Sequence, residues 1–322
     1  QNRQEINLPS WEFSRDGKVW EQVTVPHDWA IKGPFDKKWD IQYIAISQDG
    51  QTKASEQTGR SGGLPWIGEG QYRTTIDLQK NFRHAELYFD GAMSEPTVYV
   101  NGQKAGYWMY GYNAFRIDIT PFAKPGRNEI RVHLNNLDES SRWYPGAGLY
   151  RPVKLILTDK ARIDPWGVYF RTQSVHDNMA IIMVNTQLDG CEGAQNLKTE
   201  VALLDQNDKV ITSKCINAGE RGANTFTFNI SDPQLWSPES PSLYTLKTRL
   251  FKGNKLIDET TQHVGIRTVS ITKEHGFQLN GISRKFKGVC LHHDLGPIGT
   301  AVNKAAIIRQ IRLMKDMGAD AI

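Results

Sequence analysis

The sequence predicts a mainly-β chain, two β-sandwiches in series that give way near residue 270 to a strand, a loop, a helix and the start of a second strand. Three observations carry this reading. Short alternating segments bounded by turn residues recur from the N-terminus to about residue 268. Helical periodicity is absent from the first 158 or so residues. Only near the C-terminus does the apolar spacing change, with Ile307, Ile311, Met314 and Met317 falling on one helical face.

Residues 1–160 form the first predicted domain, a sandwich or jelly roll. Its clearest strands are Tyr72 to Leu78, Ala85 to Phe89, Thr97 to Val100, Glu129 to Leu134 and Val153 to Leu157. Asn101-Gly102 closes a hairpin after Val100, and Lys124-Pro125-Gly126 makes another turn. The polar stretch Gln42 to Gly63 is expected to be a long mobile loop with its charges solvated. Near the domain's end, Arg142, Trp143 and Tyr144 precede Pro145, Gly146 and Gly148. A glycine-rich loop can press its backbone on a neighbour while its aromatic residues project. Trp143 and Tyr144 therefore either meet a ligand or pack an interface between domains.

Residues 161–269 form the second predicted domain. Arg162 to Gly167 is expected to be a turn-rich joint, with Pro165 breaking the strand before it. Six or seven strands follow: Ala180 to Val184, Thr199 to Leu204, Val210 to Thr212, Thr225 to Phe228, Tyr244 to Leu250 and Leu256 to Gln262 among them. That density argues an immunoglobulin-like sandwich. Cys191 and Cys215 fall here without the Cys…Trp…Cys spacing of antibody domains, so buried free thiols are expected. No cluster of titratable residues stands out, and the domain reads as a spacer.

From residue 270 the pattern changes again. Asn280-Gly281 has the chemistry of a type I′ hairpin turn. Phe286 to Leu291 is an apolar strand ending in His292-His293-Asp294, and the Gly/Pro-rich loop Leu295 to Thr300 leads into the helix. Gly318 suits a helix C-terminus, and Ala319 to Ile322 begins a second strand. Strand, loop, helix, strand is the first βα unit of a parallel sheet or barrel. A lone unit cannot bury its strand or its apolar helix face. Material beyond this sequence, the sandwiches, or a second copy in a homo-oligomer must cover them.

The totals exclude several function classes. With 39 basic and 35 acidic residues among 322, the net charge of +4 is mild, and no basic run marks a nucleic-acid surface. Three cysteines rule out a disulfide framework. No apolar run approaches a membrane span. The polar start at Gln1 holds no signal peptide; it is what signal cleavage leaves, favouring a periplasmic or secreted location, or what a shortened chain begins with. His292-His293-Asp294 lacks metal-ligand spacing, and no phosphate-binding loop or nucleophile elbow is present, so no cofactor is expected.

Motifs along the whole chain resemble glycoside hydrolase family 2, above all its β-galactosidases. They are Val25-Pro26-His27-Asp28-Trp29, Gly68-Glu69-Gly70-Gln71-Tyr72-Arg73, Val98-Tyr99-Val100-Asn101-Gly102, the run Ser141 to Arg151, Leu235 to Tyr244, Val264-Gly265-Ile266-Arg267, Gly288 to Asp294 and Ile311 to Ala319. The resemblance implies a jelly-roll β-sandwich plus an immunoglobulin-like β-sandwich, followed by the truncated start of a (β/α)8 barrel from residue 270 to 322. It implies a retaining exo-β-glycosidase whose substrate is a β-linked saccharide, with β-glucuronidase and β-mannosidase sharing the layout. In that family the two catalytic glutamates lie on later barrel strands, so these 322 residues alone are expected to be inactive, or to serve as a carbohydrate-binding or scaffold module. Position by position, His292 takes the place of a histidine that meets the terminal sugar, with Asp294, Arg142 and Trp143 as further substrate contacts. Some members carry Arg-His-Glu where this chain has Leu291-His292-His293, which removes any role of that Arg or Glu.

Overall fold

The computed structural model describes residues 2–36, 38, 66, 68–136 and 144–322. The chain divides into two compact units: Gln4–Ile156 with Val289–Met317 and Ile322, and Gln1–Arg3 with Leu157–Gly288 and Gly318–Ala321. The expected loop Gln42 to Gly63 lies outside the described residues.

The first unit is a two-sheet sandwich. One sheet runs β1 (Gln4–Asn7), β10 (Val153–Thr158), β5 (His84–Phe89), β8 (Phe115–Asp118). The other runs β3 (Glu21–Thr24), β2 (Ser10–Ser14), β4 (Glu69–Leu78), β9 (Gly126–Asn135), β6 (Thr97–Val100), β7 (Gln103–Tyr107). Period-two alternation builds its core: Tyr72, Ile76 and Leu78 of β4, and Ile130, Val132 and Leu134 of β9, are all buried. Phe89 and Phe115 stack in parallel at 4.6 Å within that core, and Trp108 lies parallel to Phe115 at 5.9 Å, half exposed. The Asn101-Gly102 turn forms as expected, both residues at positive φ.

The second unit is a seven-stranded antiparallel sandwich. Three strands, β11 (Arg162–His176), β12 (Met179–Asp189) and β15 (Ala223–Ser231), form one sheet. Four, β14 (Val210–Asn217), β13 (Leu197–Leu204), β16 (Tyr244–Lys252) and β17 (Lys255–Val264), form the other. Phe226, Phe228, Ile182, Val184, Val201 and Leu246 fill the space between them. Three expectations need correction here. Pro165 does not end a strand: β11 continues through it, and the register slips between Ile163 and Val168, so the proline sits in a bulge where no ladder N–H is needed. The cysteines are free, but Cys215 is exposed, because β14 is an edge strand with little cover, and Cys191, just after β12, is half-buried. The third concerns Phe286 to Leu291. The hairpin before it forms, with β18 (Val269–Thr272), β19 (Gly276–Leu279) and β20 (Ile282–Ser283) paired and Asn280-Gly281 at the turn. Phe286 to Leu291 itself is not a strand. It makes one parallel bridge, Gly288 to Ala321, where Asp320 N donates to Lys287 O and Lys287 N to the Asp320 carboxylate. Parallel strands occur in sheets covered on both faces, and among the described residues this segment pairs at the one bridge alone.

Candidate functional site

The site lies in the first unit and begins with a buried carboxylate. The segment Val25 to Trp29 runs beside 147–149: His27 N donates to Leu149 O and Trp29 N to Ala147 O. Gly148 allows this approach, since a Cβ there would stand 2.3 Å from the Tyr72 hydroxyl. Trp29 stacks on Phe13 at 5.2 Å and is fully buried. Asp28, between His27 and Trp29, is therefore carried into the interior, 2% exposed.

A buried carboxylate must collect donors, and Asp28 collects five. Its Oδ1 accepts from Ala30 N at 2.9 Å and Ala147 N at 3.1 Å. Its Oδ2 accepts from the Tyr144 hydroxyl at 2.6 Å and from both Thr300 N and Thr300 Oγ1 at 3.0 Å. Burial, and after it the Asp28 charge, pushes the Tyr144 hydroxyl far above its ordinary range, so it stays protonated as the donor. Thr300 is fully buried, and it arrives from 272 positions away in sequence.

The loop before Thr300 is tied down at several points. The Asp294 carboxylate accepts from Gly296 N, Leu295 N donates to Gly299 O, and Gly299 N donates to Gly296 O. His293 bonds Pro145 O through Nε2 at 2.9 Å and lies against the rings of Tyr112 (5.1 Å) and Tyr150 (5.6 Å). Burial lowers its pKa, so at neutral pH the ring is uncharged and Nε2–H is the donor. After Thr300, Val302 N donates to Tyr150 O, and α1 (Lys304–Asp316) starts on an Asn303 cap whose side chain accepts from Ala306 N.

Of the residues singled out in the sequence, His292 is exposed and Asp294 half-buried on this loop; Arg142 and Trp143 lie outside the described residues. The structure adds Asp28, Thr300 and His293, and it bonds Tyr144, which the sequence singled out for a ligand or an interface between domains, to Asp28. Asp28 was inside a recognised motif, and the usable signal was a lone carboxylate in the apolar run Val25 to Ile31, which folding would bury. Among the described residues no group of three His, Cys, Asp or Glu is placed to hold a metal ion, and no helix is long and apolar enough to cross a membrane.

Comparison with known proteins gives a consistent result. Residues 11–159 match the family described as Glycosyl hydrolases family 2, sugar binding domain, and residues 161–267 match Glycosyl hydrolases family 2. A putative β-glucuronidase of Formosa agariphila is 36% identical over 97% of this chain and 29% of its own length. The β-galactosidase BoGH2A of Bacteroides ovatus is 34% identical over 94% of this chain and 35% of its own. A crystal structure of a glycosyl hydrolase family 2 member from Bacteroides cellulosilyticus superposes with a TM-score of 0.86 at 28% identity, over 98% of this chain and 42% of that one. The chain thus spans about a third of the length of the curated relatives it matches.

Proposed function

This chain belongs to glycoside hydrolase family 2, and on that premise we propose that it is the N-terminal part of a retaining exo-β-glycosidase that removes terminal β-galactosyl groups. In this reading residues 270–322 open a catalytic barrel whose later strands supply the two glutamates. Those carboxyl groups, about 5–5.5 Å apart, perform the double displacement through a glycosyl-enzyme intermediate. The part played by these 322 residues is to bind and orient the terminal sugar. His292 and Asp294 meet its hydroxyl groups, Arg142 adds a donor, and Trp143 offers an aromatic face to the ring.

One observation supports this reading above others: the loop carrying His292 and Asp294 is pinned on both sides, by His293 at Pro145 and by Thr300 at Asp28. Polar side chains held on a fixed loop are what recognition of a neutral, hydroxyl-rich ligand requires. A glucuronide carboxylate calls for a cation, and Arg151, the cation within the described loop 144–151, already gives Nη1 to the carbonyls of Asp90 and Tyr112. The β-glucuronidase reading rests on Arg142 and on the Formosa relative.

A panel of nitrophenyl β-glycosides presented to the full-length protein separates these readings. The galactoside should give the highest kcat/KM, and His292→Ala should lower that value about 100-fold, the size expected when a contact made in the transition state is lost. Fastest turnover of the glucuronide, with its loss in Arg142→Ala, would replace the galactosidase reading. No turnover of any β-glycoside would remove the enzyme reading and leave a carbohydrate-binding module.

A further inference from the structure

We propose that Asp28 is a positioning residue: its carboxylate sets the place of the loop carrying His292 and Asp294, and so the geometry of terminal-sugar recognition. The proposal deepens the glycosidase reading and rests on it for its consequence in catalysis, while its structural part stands on the geometry alone.

Five hydrogen bonds to one carboxylate tie together the segments that donate them. The donors come from three places in the chain: the local turn at Ala30, the loop at Tyr144 and Ala147, and the distant Thr300. Backbone bonds also join Trp29 to Ala147 and Val302 to Tyr150, and all three segments meet on the two oxygens of Asp28. A carboxylate accepts on both oxygens, whereas an asparagine of the same shape turns an NH2 group toward one set of donors. Either the Ala30 and Ala147 amides or the Thr300 amide would then face a donor, and a backbone N–H cannot reverse its role.

The packing around this carboxylate is close. A Cβ at Gly299 would stand 2.5 Å from Asp28 Oδ2, and one at Gly146 would stand 1.9 Å from Thr300 Oγ1. Both glycines also have positive φ, 68° and 69°. Between Thr300 and Asp294 the loop is knotted by its own bonds, from Gly296 N to Asp294, from Leu295 N to Gly299 O and from Gly299 N to Gly296 O. A shift at Thr300 is therefore passed as a rigid movement to Asp294 and on to His293, whose bond to Pro145 O needs that alignment. Asp28 does not touch the sugar; it acts through the loop.

The test uses the full-length protein with Asp28→Asn, Thr300→Val and the conservative Thr300→Ser. Amide hydrogen exchange is the first measurement. Residues 293–302 should exchange at least about 10-fold faster in Asp28→Asn and Thr300→Val. The second sandwich should be unchanged, and Thr300→Ser, which keeps the hydroxyl, should stay near wild type. Kinetics well below the unfolding temperature are the second measurement. The galactoside kcat/KM should fall about 10-fold or more in Asp28→Asn, yet on a His292→Ala background the same change should cost little further, because the two residues serve one contact. Unchanged exchange in 293–302 would overturn the proposal. So would a lower unfolding temperature with undiminished kcat/KM, or losses in Asp28→Asn and His292→Ala that simply multiply. If Asp28→Asn does not fold, the Thr300→Val and Thr300→Ser pair decides by the same measurements. If the wild-type protein turns over no β-glycoside, the glycosidase reading fails, and hydrogen exchange alone still decides whether Asp28 positions the loop.

Discussion

His27 and Asp28 are neighbours in sequence that solve burial in opposite ways. Asp28 is buried among donors. His27 has one partner, the Tyr72 hydroxyl, 2.7 Å from Nδ1, and its Nε2 is buried without one. Burial first, and then the Lys32 charge, lowers the His27 pKa to about 4 from 6.5. The folded protein keeps His27 neutral down to about pH 4, whereas the unfolded chain takes up the proton near 6.5. Stability is therefore fully present above the unfolded value and is lost as pH falls through that window, by about 3 kcal/mol when the whole interval is crossed. His293 is shifted in the same direction and adds to the slope. Urea denaturation at a series of pH values should show this loss in the wild type and a flatter profile in His27→Gln; identical slopes would exclude His27 as its source. The motif holding both residues was plain in the sequence, but their roles were not. Asp28 finds Thr300 272 positions away, and in the second unit Arg3 pairs with the fully buried Asp258 across 255 positions. Pairings at such separation leave no local spacing to read.

Elements whose stability is local were legible; those that depend on neighbours were not. The hairpin at Asn280-Gly281 and the helix at 304–316 formed because turn chemistry and a 3.6-residue stripe act within one short stretch. Phe286 to Leu291 has the composition of a buried parallel strand, but composition does not supply adjacent strands, and a single bridge at Gly288 is what forms. β11 errs in the other direction: antiparallel pairing with β12 on either side of Pro165 outweighs the local break. For α1, of the stripe that identified it, Ile307 and Met314 are half-buried while Ile311 and Met317 are exposed, so packing holds the helix weakly. Its cap should then matter. Asn303→Ala removes the side-chain acceptor for Ala306 N and should cost about 1 kcal/mol. The expected readout is hydrogen exchange about 5-fold faster through the first two turns of the helix, with Asn303→Asp close to wild type. An Asn303→Ala protein with unchanged exchange would mean that tertiary contacts, rather than the cap, fix the helix start.

At the scale of the whole molecule, helix α1 leaves apolar side chains open to solvent. Ile308 and Ile311, neighbours on one face of α1, are 38% and 49% exposed, and Leu291 of the same unit is exposed as well. Apolar surface gathered in this way marks a contact with something else. In the proposed reading that partner is the remainder of the barrel in the same polypeptide; for the 322-residue chain prepared alone, another copy is the available substitute. The two situations make opposite predictions for one substitution. In the 322-residue chain, Ile308→Lys with Ile311→Lys, neighbours on one face of α1, should abolish self-association seen by sedimentation at tens of micromolar, with little effect on the unfolding midpoint, because exposed side chains contribute little to folding. In the full-length protein the same pair should lower the unfolding midpoint sharply, because it would place two charges against a packed core. A full-length protein indifferent to both lysines would show that this face stays in water there too, and the proposal that residues 270–322 open a closed barrel would have to be given up.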